Sequence, residues 1–348
     1  MTHRITSPVR NRLSGSRSRT IRRLRAAAAS AACAALVCAG AGTAVAAPPT
    51  ASVDHVVART DRWIQVFVDS PAMQRIVQVD VLLPPDRDSP HPTLYLLDGD
   101  GADPTQTEST WTMRTDAVQF FGDKPVNVVL PVGGGGTFYS DWQRDDPRLG
   151  HVRWETFLTQ ELPPLIDNTF HGNGRNAVAG LSMGGQAAMS LTFRYPSLYR
   201  SVASYSGCMY TAGVGQAYVR AAVAGRGGDA DNMWGGITDP DWAAHDVSLH
   251  TDALRGKQVF ISAGTDVPGA ADLALDPSPT LPLTVSAAMA IEDGARDCTL
   301  ALDAQLRLQG VPADVHYYLI GTHSWPYWQT ALHDSWPTLA AGVTAGTE

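Results

Sequence analysis

The sequence predicts an α/β fold, with a mainly parallel central sheet and helices on both faces. Three observations carry that prediction. Two β-rich runs at the start give way to a regular alternation of β runs and helical patterns. The later β runs are short and apolar throughout, as strands buried on both sides are. One strand-to-helix junction also holds Gly180-Leu181-Ser182-Met183-Gly184-Gly185, whose glycines suit a very tight turn.

The β runs are Trp63–Val68, Ile76–Leu83, Thr93–Leu97, Val126–Pro131, Ala177–Ala179, Val202–Tyr205, Val259–Ser262 and Asp314–Leu319. Helical patterns cover Trp154–Asn168, Met183–Arg194, Leu283–Leu308 and Trp328–Leu339. The stretch Gly207–Asp252, rich in Gly, Asp and Trp, reads as an excursion from the sheet that walls or covers a site. Asp266–Thr280, rich in Pro and Asp, reads as irregular.

The first part of the chain has a different character. Residues 1–25 hold eight Arg and no acid, residues 26–47 are almost all small or apolar, and Ala44-Val45-Ala46 offers a small-residue cleavage site before Pro48-Pro49. That order reads as a signal peptide over 1–47, followed by a single catalytic domain over 48–348 that is secreted or held in the cell envelope. A membrane anchor is the competing reading; the Ala-rich run is long enough to span but only weakly hydrophobic. Arg22-Arg23 fits a twin-arginine signal and the residues after it do not, so Sec and Tat export both stay open.

Beyond residue 47 the chain keeps 18 Lys+Arg against 34 Asp+Glu, a formal net charge of −16. Such a surface repels phosphate backbones and anionic headgroups, which argues against nucleic acid as a partner. Two cysteines remain there, Cys208 and Cys298. In an exported chain they suggest one disulfide. Cys208 follows the strand after the Ser182 helix and Cys298 lies on the long later helix. A bridge closing a loop of about 90 residues would constrain the unfolded state by several kcal/mol in the chain-entropy model. Two buried thiols are the alternative. No Cys or His spacing suggests a metal site, and no motif asks for a cofactor.

The chemistry begins at Ser182. A G-x-S-x-G segment after the strand Asn176–Ala179 and before an apolar helix is the setting of a nucleophile elbow, and with it the α/β-hydrolase fold is expected. The tight turn excludes bulky neighbours, hence Gly180 and Gly184, and it leaves the Ser hydroxyl at the carboxyl edge of the sheet. The Met183 N–H then points at a developing oxyanion. An elbow needs a base, which in this fold follows both the Ser and the acid in the chain. His323, in Gly321-Thr322-His323-Ser324-Trp325, leaves the last β run in that position. His316 lies within a strand, His333 within a helix, and His245 and His250 precede the expected acid.

Further blocks occur in order along the chain. They are Tyr95-Leu96-Leu97-Asp98-Gly99, Pro131-Val132-Gly133-Gly134, Phe138-Tyr139-Ser140-Asp141-Trp142 and Trp154-Glu155-Thr156-Phe157-Leu158, then the elbow, Met233-Trp234-Gly235, Asp239-Pro240 with Trp242, and Gly321-Thr322-His323-Ser324-Trp325 with Tyr327-Trp328. Over residues 60–340 the chain resembles the antigen 85-type mycolyltransferases of mycolic-acid bacteria. The resemblance implies ping-pong acyl transfer. Ser182 takes the acyl group of trehalose monomycolate, and a second sugar hydroxyl, on another glycolipid or on arabinogalactan, receives it. The oxyanion would be held by the N–H of Met183 and by one near Asp100. Asp98 and Trp325 are implied sugar contacts, with Ser324 beside them.

Two departures bear on the sugar. The family's best-known members carry Arg where this chain has Gly101, and a sugar-binding Asn nearby is replaced by Arg114, which becomes the candidate to supply the missing guanidinium. The loop before Trp111 is also longer by two residues, a pattern closer to the corynebacterial and nocardial branch. For the acid two candidates stand. Asp266 directly follows the strand Val259–Ser262, where many α/β-hydrolases place it. Glu292 lies on a helix 31 residues before His323, as the resemblance implies. Chemistry does not separate two carboxylates; position favours Glu292. Two other functions compete: an esterase D-type carboxylesterase that uses water as acceptor, and a non-catalytic envelope protein that binds carbohydrate or matrix on the same scaffold. The second is expected to lack Ser182 or His323, and both are present.

Overall fold

A computed structural model describes residues 50–103, 105–274 and 279–344; the segment read as a signal peptide lies outside them. Among the described residues, nine strands form one sheet: β1 (Ser52–Ala58), β2 (Trp63–Ser70), β3 (Arg75–Leu82), β4 (His91–Leu97), β5 (Asn127–Pro131), β6 (Gly172–Leu181), β7 (Tyr199–Tyr205), β8 (Gln258–Gly264) and β9 (Asp314–Tyr318). Their order is β1-β2-β3-β5-β4-β6-β7-β8-β9. The first three strands pair antiparallel, β3 meets β5 antiparallel, and every later pairing is parallel. A parallel pairing needs a crossover, and the helical patterns supply it.

Side-chain alternation along the central strands feeds two cores. Tyr95 and Leu97 of β4 pack with Val178, Trp154, Phe157, Leu191 and Leu302 on one face. Leu94 and Leu96 pack with Trp111, Ala179, Tyr205, Leu332 and Leu339 on the other. The first face is covered by α2 (Leu162–Thr169), α3 (Met183–Arg194) and α5 (Leu281–Gln309), the second by α1 (Thr110–Arg114) and α6 (Trp325–Thr344). The excursion after β7 is helical and includes α4 (Gly215–Gly225).

Some elements differ from expectation for physical reasons. β1, Ser52-Val53-Asp54-His55-Val56-Val57-Ala58, is largely exposed at the sheet edge and its apolar residues do not alternate with polar ones, so no strand pattern announces it. The helix expected over Trp154–Asn168 is interrupted by a π turn at Phe157–Glu161, immediately before Pro163 and Pro164, which lack the N–H groups an α ladder needs. The stretch expected to be irregular after β8 holds one helical turn, Ala270–Leu273. No described helix is long and apolar enough to cross a membrane.

Candidate active site

The strand β6 runs straight into α3 with only Ser182 between them. The turn is as tight as the glycines required. A Cβ on Gly180 would lie 2.4 Å from Gly184 O, and one on Gly184 would lie 2.2 Å from Asp98 O. Ser182 itself adopts φ 52° and ψ −122°, a left-handed conformation that L side chains avoid. Its N–H is held by Tyr205 O at 2.8 Å.

His323 leaves β9 and reaches the same point. Its Nε2 lies 2.9 Å from Ser182 Oγ and its Nδ1 2.7 Å from Glu292 Oε2. Since a carboxylate only accepts, Nδ1 carries the proton and Nε2 accepts from the Ser hydroxyl. Glu292 sits on α5 and is 1% exposed. Its other oxygen accepts from the Gly264 N–H at 2.6 Å and from the Ser206 hydroxyl at 2.8 Å. Ser206 in turn accepts from the Trp328 indole N–H at 3.0 Å, and the Trp328 ring stands edge-on to His323 at 4.9 Å. Sequence reasoning passed over Ser206 and gave Trp328 no role at the acid, because both matter only through contacts made across the fold.

Asp266, the other acid candidate, is turned away. It is 3.4 Å from Arg296 Nη1 and makes no bond to His323. The other histidines weighed as bases are also engaged elsewhere. His316 bonds Asp314 within β9, His333 bonds Asp116, and His250 bonds Ala243 O. His245 lies 3.5 Å from Glu155, whose carboxyl is held down at about 2 because hydrogen bonds from His245, Arg194 and Tyr195 outweigh burial, the largest single influence.

A cavity of about 490 Å³ opens beside Ser182 and His323. Asp100, Gly101, Arg114 and Trp325 are among the residues lining it, with Tyr218, Ala221 and Ala222 of α4. A second, more apolar cavity of about 350 Å³ shares Tyr218, Ile291 and His323 with it. The Met183 N–H begins α3 and so has no acceptor within the helix, which leaves it free for an oxyanion. Trp325 stands edge-on between Trp111 and Trp328, at 5.3 Å from each, and presents its remaining face to the cavity.

Two expected sugar contacts do not face that space. Asp98 is fully buried and accepts from the Thr110 N–H at 3.1 Å; burial pushes its carboxyl up to about 7, against hydrogen bonds from Thr110 and Ser109. It supports α1 rather than a ligand. The Ser324 hydroxyl donates to Asp272 at 3.0 Å, behind the His323 loop. Another cation stands at the rim instead: Arg226 donates to Asp100 Oδ2 at 3.0 Å, and its Nη2 lies 3.8 Å from where a Cβ on Gly101 would sit. It arrives from the C-terminal end of α4, within the excursion and 125 residues after Gly101, so local sequence could not point to it.

Cys208 and Cys298 are joined in a disulfide with Cα atoms 5.1 Å apart. It ties the segment after β7, which carries Ser206, to α5, which carries Glu292. Alkylation of the denatured, unreduced chain lacking residues 1–47 is expected to find no free thiol. Two free thiols would refute the bridge.

The sheet order and the Ser182 elbow define an α/β hydrolase with esterase chemistry. The family described as putative esterase matches residues 70–339. Diacylglycerol acyltransferase/mycolyltransferase Ag85B of Mycobacterium intracellulare is 32% identical over 74% of this chain and 77% of its own length, and Ag85C of Mycobacterium avium is 30% identical over 94% and 92%. The crystal structure of Mycobacterium tuberculosis MPT51 (FbpC1) superposes with a TM-score of 0.67 at 25% identity, covering 82% of this chain and 100% of that one. An S-formylglutathione hydrolase from Agrobacterium tumefaciens shares the fold at a TM-score of 0.58 and 17% identity, over 84% of this chain and 99% of its own. The chain belongs to the antigen 85 family of acyltransferases, within the putative esterases.

Proposed function

We propose that this protein moves a long-chain acyl group, a mycolyl group, from trehalose monomycolate to a second sugar hydroxyl through a Ser182 acyl-enzyme. The observation that carries the proposal is the relay Ser182–His323–Glu292, closed at 2.9 and 2.7 Å beside a cavity large enough for a sugar. Ser alone is a weak nucleophile and needs the adjacent imidazole. His323 Nε2 takes the Oγ proton as Oγ attacks the ester carbonyl. The Met183 N–H, with the N–H of Asp100, holds the oxyanion. The proton then passes to the departing trehalose oxygen, which leaves the acyl-enzyme. The acceptor hydroxyl gives its proton to the same nitrogen as it attacks, and Ser182 is restored. Glu292 keeps Nδ1 protonated and offsets the charge on the imidazolium.

Export after removal of residues 1–47 suits this substrate and fits a disulfide-bonded chain. Arabinogalactan is a further acceptor of the same chemistry. Incubation of the purified protein with trehalose monomycolate and excess trehalose tests the reading by product analysis. Transfer to the added sugar supports it. Free acid alone would make water the acceptor, and no turnover would leave a binding protein.

Arg114 is exposed on the cavity wall and has no ion-pair partner among the described residues. Its fork is proposed to bind sugar hydroxyls. Arg114→Ala is then expected to raise KM for the sugar acceptor several-fold, leaving turnover of a short sugar-free ester unchanged. Unaltered acceptor kinetics would remove Arg114 from the site.

A further inference from the structure

The loop that presents His323 is held by a carboxylate outside the relay. Asp272 lies on the single turn Ala270–Leu273 and is 1% exposed. Its Oδ1 accepts from the Thr322 hydroxyl at 2.5 Å and from the Ser324 hydroxyl at 3.0 Å. Its Oδ2 accepts from the Tyr327 hydroxyl at 2.5 Å and from the Gly269 N–H at 2.8 Å. Three of these four donors thus come from the segment around His323, and two of them flank it directly. Among the described residues no Lys or Arg pairs with Asp272.

A buried carboxylate without a cation is costly unless hydrogen bonds replace its water. Here they do: burial is the largest influence and would raise the pKa, yet the bonds from Thr322, Tyr327, Gly269 and Ser324 together bring it below the ordinary value. The group is therefore ionised at neutral pH, as four simultaneous donors require. The rest of the loop has few attachments. Leu319 and Ile320 are 84% and 53% exposed, and the backbone is tied by Gly321 N–H to Val267 O at 2.9 Å and by His323 N–H to Ala288 O at 3.2 Å. The segment after β8, where this fold commonly places its acid, thus sends a carboxylate to the neighbours of the histidine and not to its ring.

We propose that Asp272 is a positioning residue for acyl transfer, gathering Thr322, Ser324 and Tyr327 so that His323 Nε2 meets Ser182 Oγ. The proposal rests on His323 being the general base. An Asn at 272 would keep the shape but turn an NH₂ toward one pair of donors, so the loop would lose half its anchor. A misplacement on the order of 1 Å at a proton-transferring group costs roughly 100-fold in rate.

The test compares Asp272→Asn, the pair Thr322→Val with Ser324→Ala, and His323→Ala, using a short p-nitrophenyl ester well below the melting temperature of each. Asp272→Asn is expected to lower kcat about 100-fold with KM little changed. The Thr322/Ser324 pair, which leaves Asp272 intact, is expected to show the same split and keeps the test open if Asp272→Asn does not fold. Adding Asp272→Asn to His323→Ala is expected to cost nothing further, since groups acting as a unit are non-additive. A folded Asp272→Asn enzyme with wild-type kcat, or a full additional loss on top of His323→Ala, would overturn the proposal while leaving the base assignment intact. Wild-type activity in His323→Ala would take both down.

Discussion

Ser182→Ala forms no acyl-enzyme, and His323→Ala loses almost as much. The reason is that the two act as one device. Without Oγ there is no atom to carry the acyl group. Without Nε2 at 2.9 Å, Oγ keeps its proton at neutral pH and stays a weak nucleophile. Each change is expected to lower kcat by roughly 10⁴- to 10⁶-fold, and the double variant little further. The residual rate would come from the Met183 N–H and from binding, which neither substitution touches. Ester turnover reads the rate, and a fluorophosphonate reads the nucleophile directly, because the label is expected to vanish in Ser182→Ala. Retention of most esterase activity in either single variant would dismiss the assignment.

Glu292→Gln lowers turnover by several orders of magnitude with Ser182 still in place, while Asp266→Asn changes little. The geometry gives the reason. Glu292 uses one oxygen for His323 and the other for Gly264 N–H and Ser206. A Gln has one acceptor for those two duties. Either its NH₂ faces Nδ1, forcing the wrong tautomer, or it faces the Gly264 N–H, a donor meeting a donor. A tautomer change of this kind costs about 10⁴-fold in a triad. Asp266 is engaged with Arg296, and Asn accommodates its left-handed backbone, φ 65°, without strain. Steady-state kinetics on the two variants decides between them, and the opposite pattern would place the acid after β8.

The parallel sheet was legible because its central strands are apolar on both sides and its helices are long and periodic. The elbow was legible because a tight strand-to-helix turn admits so few residues. The relay geometry was only partly legible. Position in the chain singled out His323 and, with the resemblance, favoured Glu292 over Asp266, but chemistry alone did not separate the two, since nothing local distinguishes a helix carboxylate that points inward from one in water. Asp98 shows the opposite limit: a residue matched by resemblance to a sugar contact is here fully buried under α1. Asp272 and Arg226 were not singled out at all. Each gains its place from partners roughly 50 or more residues away, brought near by sheet order, which is information no window of sequence contains.

The backbone at Ser182 has one more consequence. Its left-handed φ costs on the order of 1–3 kcal/mol that a glycine there would not incur. A duplicated gene released from the reaction would therefore relieve that strain by Ser182→Gly, giving up only the hydrogen bond from Oγ to His323. Silencing the chemistry and strengthening the fold lie along the same single substitution, so this architecture gives inert descendants a downhill path, and continued selection for turnover is what keeps the serine in place.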